Sequence, residues 1–164
     1  MRHSLPVDGA IGAPLRILVS ACLLGALVRY DGGSCRTAAL AGYDDIQWIP
    51  ICPEVAGGLP VPRPPAQIVA PGVVQTEAGD DVSAWFHAGA ECALQCCLQS
   101  GIRVAVLKEG SPSCGVHEIH DGNLLGRRVA GQGVTAQRLL AAGVAVFNEH
   151  EVADAVMASR RLAL

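Results

Sequence analysis

The chain has 164 residues, 51% of them hydrophobic but only 4% aromatic, and its formal net charge is −3 with no run of Lys or Arg. That length suits one domain with a core of Ala, Val, Leu and Ile. The charge excludes a duplex nucleic-acid binder that relies on broad phosphate contacts, while a single anionic group can still be held locally.

No apolar stretch reaches the roughly 18–20 residues of a membrane span. Residues 1–13 lack the apolar centre and small-residue cleavage site of a signal peptide, so they read as a loose leader. The expected organisation is a single α/β domain over 14–164, in the cytoplasm. A strand is predicted at 15–21, closed by Cys22 and followed by a glycine-rich loop from Leu24 to Gly33. A short helix fits 37–41, and the next strand, 46–52, ends in Cys52-Pro-Glu. Pro60-Val-Pro-Arg-Pro-Pro can be neither helix interior nor central strand. Residues 68–75, with Pro71-Gly72 inside them, read as extended or hairpin structure. Ser83 suits the N-cap of a long helix that stops at Gly101. Then come a strand at 102–107, the loop Glu109-Gly-Ser-Pro-Ser-Cys-Gly and a turn at 120–123. A helix from Gly133 to Ala142, a strand at 144–147 and a helix at about 150–160 finish the chain. Strands alternating with helices predict a mostly parallel sheet flanked by helices. In such sheets ligands bind outside the carboxyl ends of the strands.

Seven cysteines in a chain of this kind argue against a disulfide framework and for reduced thiols. Cys22 and Cys52 close strands, and Cys114 follows a third across a loop. One strand-end cysteine is usually a small buried residue. Three delivered to one sheet edge suit a metal or an iron–sulfur cluster better. Cys92, Cys96 and Cys97 lie among Ala90, Ala93, Leu94 and Leu98 and read as core, whereas Cys35 stays undecided in a polar loop, with packing favoured. A rival zinc site combines Cys114, His117 and His120 at intervals of three with Cys22 or Cys52, although the loop context and the His120-Asp-Gly turn weigh against it. A third possibility makes Cys114 a nucleophile that needs no metal.

Other candidates surround these thiols. Glu54 is a carboxylate two residues beyond Cys52, in a stretch stiffened by Pro50 and Pro53. Ser111 and Ser113 bring hydroxyls to a loop whose flanking glycines let a ligand approach the backbone. Arg29, Arg36, Arg63 and Lys108 are the basic residues near the expected crevice. An anionic group is expected to find Lys108, or the first amides of the helix at Val134-Thr-Ala.

Taken in order, Ser20-Ala-Cys-Leu-Leu-Gly, Arg29-Tyr-Asp-Gly-Gly, Cys52-Pro-Glu-Val-Ala-Gly-Gly-Leu-Pro-Val-Pro-Arg-Pro-Pro-Ala, Leu107-Lys, Ser111-Pro-Ser-Cys-Gly and Gly131-Gln-Gly-Val-Thr-Ala resemble the small bacterial thiouracil/4-thiouridine desulfidase family. The resemblance runs from about residue 16 to 150. It implies a 4Fe–4S cluster held by Cys22, Cys52 and Cys114, with one iron free of protein ligands. It also implies Glu54 and Ser111 as the catalytic carboxylate and serine; Ser113, Arg29, Arg36, Arg63 and Lys108 are candidate substrate contacts by residue type and by their place near the expected crevice. Two positions depart from the family pattern: Leu27-Val28, where relatives carry a cysteine before Arg-Tyr-Asp-Gly, and Gln67, where they carry Glu. The implied substrate is a thiolated pyrimidine as base, nucleoside or monophosphate. Its thiocarbonyl sulfur, soft enough to prefer iron, is replaced by oxygen and released as hydrosulfide without net electron transfer, the open iron binding the sulfur as a Lewis acid. A zinc- or cluster-binding protein without catalysis, and a cysteine-nucleophile enzyme, are the alternatives.

Overall fold

β1 (Leu15–Ser20) owes its place to an apolar run that is buried on both faces: Ile17, Leu18, Val19 and Ser20 are all buried. The computed structural model describes residues 12–121 and 126–164. β1 pairs in parallel with β2 (Ile46–Ile51) on one side and β5 (Val104–Leu107) on the other, and β8 (Ala145–Asn148) adds to β5. The strand order is β2-β1-β5-β8. A strand covered on both faces has no polar alternation, which is why β1 and β5 read as continuous apolar runs.

Two cores form on the two faces. Leu18, Ala105 and Leu107 meet Ala93, Leu94 and Cys97 of α2 (Ser83–Ser100) and Ala136 and Leu139 of α3 (Val134–Ala141). Ile17, Val19, Val104 and Val106 meet Val152, Ala155 and Val156 of α4 (Val152–Leu162). The chain leaves β1 toward β2 but later returns to build β5 and β8 on the other side. That reversal makes the carboxyl ends of β1 and β5 the switch point, where an open α/β sheet leaves a crevice.

Strands and helices thus follow the expectation within a few residues, and α2 does stop at Gly101 with φ +64°. Local details differ. Ser83 is not the N-cap: its hydroxyl accepts from Val74 N at 2.9 Å, and Asp81 accepts from Ser83 N at 2.9 Å instead. The helix expected at 37–41 is one 3-10 turn, Ala38–Leu40, capped by Thr37. Residues 66–76 form an antiparallel hairpin of β3 (Ala66–Ala70) and β4 (Val73–Thr76), turning at Pro71-Gly72. α1 (Pro53–Ala56) and the hairpin of β6 (Glu118–His120) with β7 (Arg128–Ala130) were not foreseen. The turn expected at 120–123 runs beyond the described residues, as does the leader through residue 11. Cys97 is core, but Cys92, on the same helix, is exposed. Among the described residues no helix is long and apolar enough to cross a membrane.

Candidate functional site

A cavity of about 300 Å³ lies at the carboxyl ends of β1, β2 and β5, and Cys22, Cys52, Cys114, Glu54 and Ser111 all line it. Each is placed by a different local device. Cys22 sits in the 3-10 turn Ala21–Leu24 that β1 runs into. Cys52 is the N-cap of α1, a short helix that Pro53 starts at a position where a missing N–H costs nothing. α1 lies directly on α2: a Cβ on Gly89 would stand 1.8 Å from the Pro53 carbonyl oxygen. Only glycine there allows the approach that presents Cys52 and Glu54. Cys114 follows the Ser111 turn, in which the Ser111 hydroxyl accepts from the amides of Ser113 and Cys114, both at 3.1 Å.

Cys22 and Cys114 are both hard to ionise where they stand. Burial first, then Cys35 and Cys52, pushes Cys22 up to about 12. Burial likewise pushes Cys114 up to about 12, with Cys22, Glu54 and Cys52 adding to it and a hydrogen bond with Ser20 opposing it. Neighbouring soft donors, one buried and two half-buried, of which Cys22 and Cys114 resist ionising without a cation, are the donor chemistry that an iron–sulfur group compensates. The residues present therefore fit such a group. Among the described residues no three His, Cys, Asp or Glu side chains close on a point sized for a single metal ion. The rival zinc set meets a further obstacle: His117 is exposed and bonds Glu151 Oε1 at 2.7 Å, on the α4 side. A thiol nucleophile at Cys114 is disfavoured by the same burial that raises it, since the thiolate is the reactive form.

Around the thiols, polar groups are paired in ways that residue type does not announce. Arg63 is buried and gives Nε to Glu54 Oε2 at 2.6 Å, Nη1 to Pro60 O at 3.2 Å and Nη2 to Val28 O at 3.0 Å. Lys108 Nζ is taken by Glu149 at 2.9 Å and by the Glu109 carbonyl at 2.8 Å. Ser113 is buried with its hydroxyl 3.0 Å from Thr135 Oγ1. The first amides of α3, expected to be open to an anion, are consumed by that same loop: Val134 N donates to Pro112 O and Thr135 N to Ser113 O, both at 2.9 Å. Gly133 permits this, because a Cβ there would stand 2.3 Å from the Ser113 carbonyl.

Arg36 is exposed beside Gly25, apart from the cavity lining. Arg29 does line the cavity, half-buried, with Nη1 3.3 Å from Cys35 Sγ and an ion pair to Asp31 at 3.7 Å. Cys35 joins the lining too and donates its amide to Cys22 O at 3.0 Å. Of the further polar residues that line the cavity, the sequence pointed to His120 alone, as part of the rival zinc set. Ser20 accepts from Lys108 N at 2.9 Å, and Glu109 is buried beneath the Ser111 loop. His120 and Arg128 arrive on the β6–β7 hairpin. The position of Ser20 at a strand end, directly before the cysteine turn, was the one signal available for the others.

An open parallel sheet whose switch point gathers three thiols, a clamped carboxylate and a serine brings soft donors and ionisable side chains to one cavity. The chain belongs to the 2-thiouracil desulfurase family, whose model matches residues 17–151. It is 34% identical over 148 residues to the uncharacterised protein YbbK of Bacillus subtilis (strain 168), covering 84% of this chain and 98% of that protein. Among solved structures it resembles the [4Fe-4S]-dependent thiouracil desulfidase TudS, with 48% identity and a TM-score of 0.79, over 87% of this chain and 96% of that one.

Proposed function

We propose that this protein hydrolyses the C–S bond of a thiolated pyrimidine, exchanging sulfur for oxygen and releasing hydrosulfide without net redox change. Cys22, Cys52 and Cys114 are the residues that hold a 4Fe–4S cluster in this reading. The observation that carries it is the arrival of three thiols from three separate segments on one cavity, beside Glu54 and Ser111. When bound, the cluster supplies a Lewis-acidic iron for the soft thiocarbonyl sulfur.

The chain's own residues supply the rest. Glu54 has one oxygen held by Arg63, and its Oε1 has no partner among the described residues. In this mechanism that oxygen accepts the proton of an attacking water as the C–O bond forms and returns it as the C–S bond breaks. The Ser111 oxygen already accepts two amides, so its hydroxyl hydrogen is what it has left to offer. It is the donor that orients the heterocycle or relays the proton.

Arg63, Lys108 and Ser113 are held within the protein by short bonds, whereas Arg29 and Arg128 line the cavity on longer, solvent-exposed ion pairs to Asp31 at 3.7 Å and Glu118 at 3.9 Å, and His120 lines it beside them. These groups suit the phosphate of a thiolated nucleoside monophosphate, and turnover of nucleotide against nucleoside tests that finer choice. Seven thiols with no disulfide suit the reducing cytoplasm. The experiment that tests the whole reading is anaerobic purification with iron and sulfide analysis, followed by hydrosulfide release from 2-thiouracil. About four irons per chain and catalytic release support it. Colourless protein that cannot be reconstituted overturns the cluster, and Glu54→Ala with normal turnover overturns the acid–base role.

A further inference from the structure

The loop that carries Ser111, Ser113 and Cys114 is wound on a carboxylate that the chemistry above leaves unused. Glu109 is 5% exposed. Its Oε1 accepts from the amides of Val116 at 2.7 Å, His117 at 3.0 Å and Glu118 at 3.0 Å, with Gly110 N at 3.4 Å. Its Oε2 accepts from Asn148 Nδ2 at 2.6 Å. The amides come from both ends of the loop, so one side chain ties residue 110 to residues 116–118 across Cys114. Asn148 is itself fixed at the end of β8, its amide donating to Glu151 Oε2 at 2.9 Å and its Oδ1 accepting from His150 N at 2.9 Å. Glu109 N is held by Glu149 Oε2 at 2.8 Å. Hydrogen bonds to an ionised acceptor are shorter and stronger than neutral ones, and they are directional. A loop with little regular structure of its own takes its shape from them.

We propose that Glu109, oriented by Asn148, is a positioning residue of the desulfidase site, setting where the Cys114 sulfur and the Ser111 hydroxyl stand relative to Glu54. The inference rests on the function proposed above. Groups that orient metal ligands without touching the metal typically matter about 10- to 100-fold in affinity or activity.

The test compares wild type with Glu109→Gln, as reconstituted holoenzyme acting on 2-thiouracil and as apo-protein treated with iodoacetamide. Glutamine keeps the shape and one acceptor, but sets an NH2 against the Asn148 donor. The expected result is a fall in kcat per cluster of about 10- to 100-fold, larger than any change in KM. Faster alkylation of Cys114 in the apo-protein, read by mass spectrometry, should accompany it. Adding Asn148→Asp, which gives that NH2 an acceptor, should recover part of both. A lowered melting temperature with kcat per cluster and Cys114 alkylation unchanged overturns the proposal and leaves Glu109 a purely structural residue. Should Glu109→Gln fail to fold, Asn148→Ala removes a single bond of the hub; the same two changes support the proposal and their absence overturns it. If wild type neither holds iron nor releases hydrosulfide, the desulfidase reading falls, while the alkylation comparison still decides whether Glu109 organises the loop.

Discussion

Arg63 Nε stands 2.6 Å from Glu54 Oε2, and the same guanidinium is pinned by the carbonyls of Pro60 and Val28. The arginine side chain is 5% exposed and the glutamate 15%. A planar donor fork held at three points cannot swing toward a substrate. It fixes Glu54 Oε2 and leaves the other carboxylate oxygen without a hydrogen-bond partner among the described residues.

Arg63→Met is expected to destabilise the fold by about 3 kcal/mol, since removing one partner leaves a buried charge uncompensated. Arg63→Lys keeps a charge but not the fork, and should retain more stability than turnover. Urea unfolding together with 2-thiouracil turnover, normalised to iron content, measures both. Full activity in Arg63→Met would remove the clamp from the mechanism.

Cys114 and Cys35 both line the cavity, yet they should behave differently on removal. Cys114→Ala is expected to abolish the visible chromophore after anaerobic reconstitution. Cys35→Ala should keep the chromophore, because its sulfur is engaged by Arg29 and it stands outside the proposed ligand set. The visible spectra of the two variants decide the assignment. Colour retained without Cys114 excludes it as a ligand.

Gly89 tests whether the contact of α1 with α2 places the site. A methyl there collides with the backbone carbonyl of Pro53, and a backbone carbonyl cannot be displaced without moving Cys52 and Glu54. Gly89→Ala should therefore lower stability by about 1–3 kcal/mol and lower iron content as well. A thermal melt and an iron assay on the same sample read both. A variant with wild-type melting and iron would mean that the helices part without disturbing the site.

Acid should reveal the Glu109 hub. Burial pushes this carboxyl up, but hydrogen bonds from Asn148 and from the amides of Glu118, His117 and Val116 outweigh that and hold it down at about 2, against an ordinary 4.5. A depressed carboxyl contributes stability that is fully present above the unfolded value and lost as pH falls through the folded one. The window is therefore pH 4.5 down to 2, and the contribution is about 3 kcal/mol. Unfolding free energy of the apo-protein measured across that window should fall more steeply for wild type than for Glu109→Gln. Equal slopes would show that the carboxylate is not held by its amides.

What the chain determined by itself is the framework and its chemistry. The apolar runs that become β1, β2 and β5, the turn residues bounding them and the cysteine ending or following each are local features, readable one segment at a time. Because parallel strands joined by helices all send their carboxyl ends to one edge, three cysteines at strand ends imply a shared site without any contact being known. The motifs around Cys52 and Ser111 added the carboxylate and the hydroxyl. Only the tertiary structure decided the pairing of the polar groups. Charge type permits Lys108, Arg63 or the first amides of α3 to face a ligand; instead Glu149, Glu54 and the carbonyls of Pro112 and Ser113 take them. The β6–β7 hairpin, whose strands are too short to show a period, brought His120 and Arg128 to the mouth. Hydrophobic patterning depends on each segment's own periodicity, whereas a hydrogen-bond partner depends on which loops meet above the sheet. That meeting is set by strand order and by close approaches such as those at Gly89 and Gly133, which no local pattern encodes.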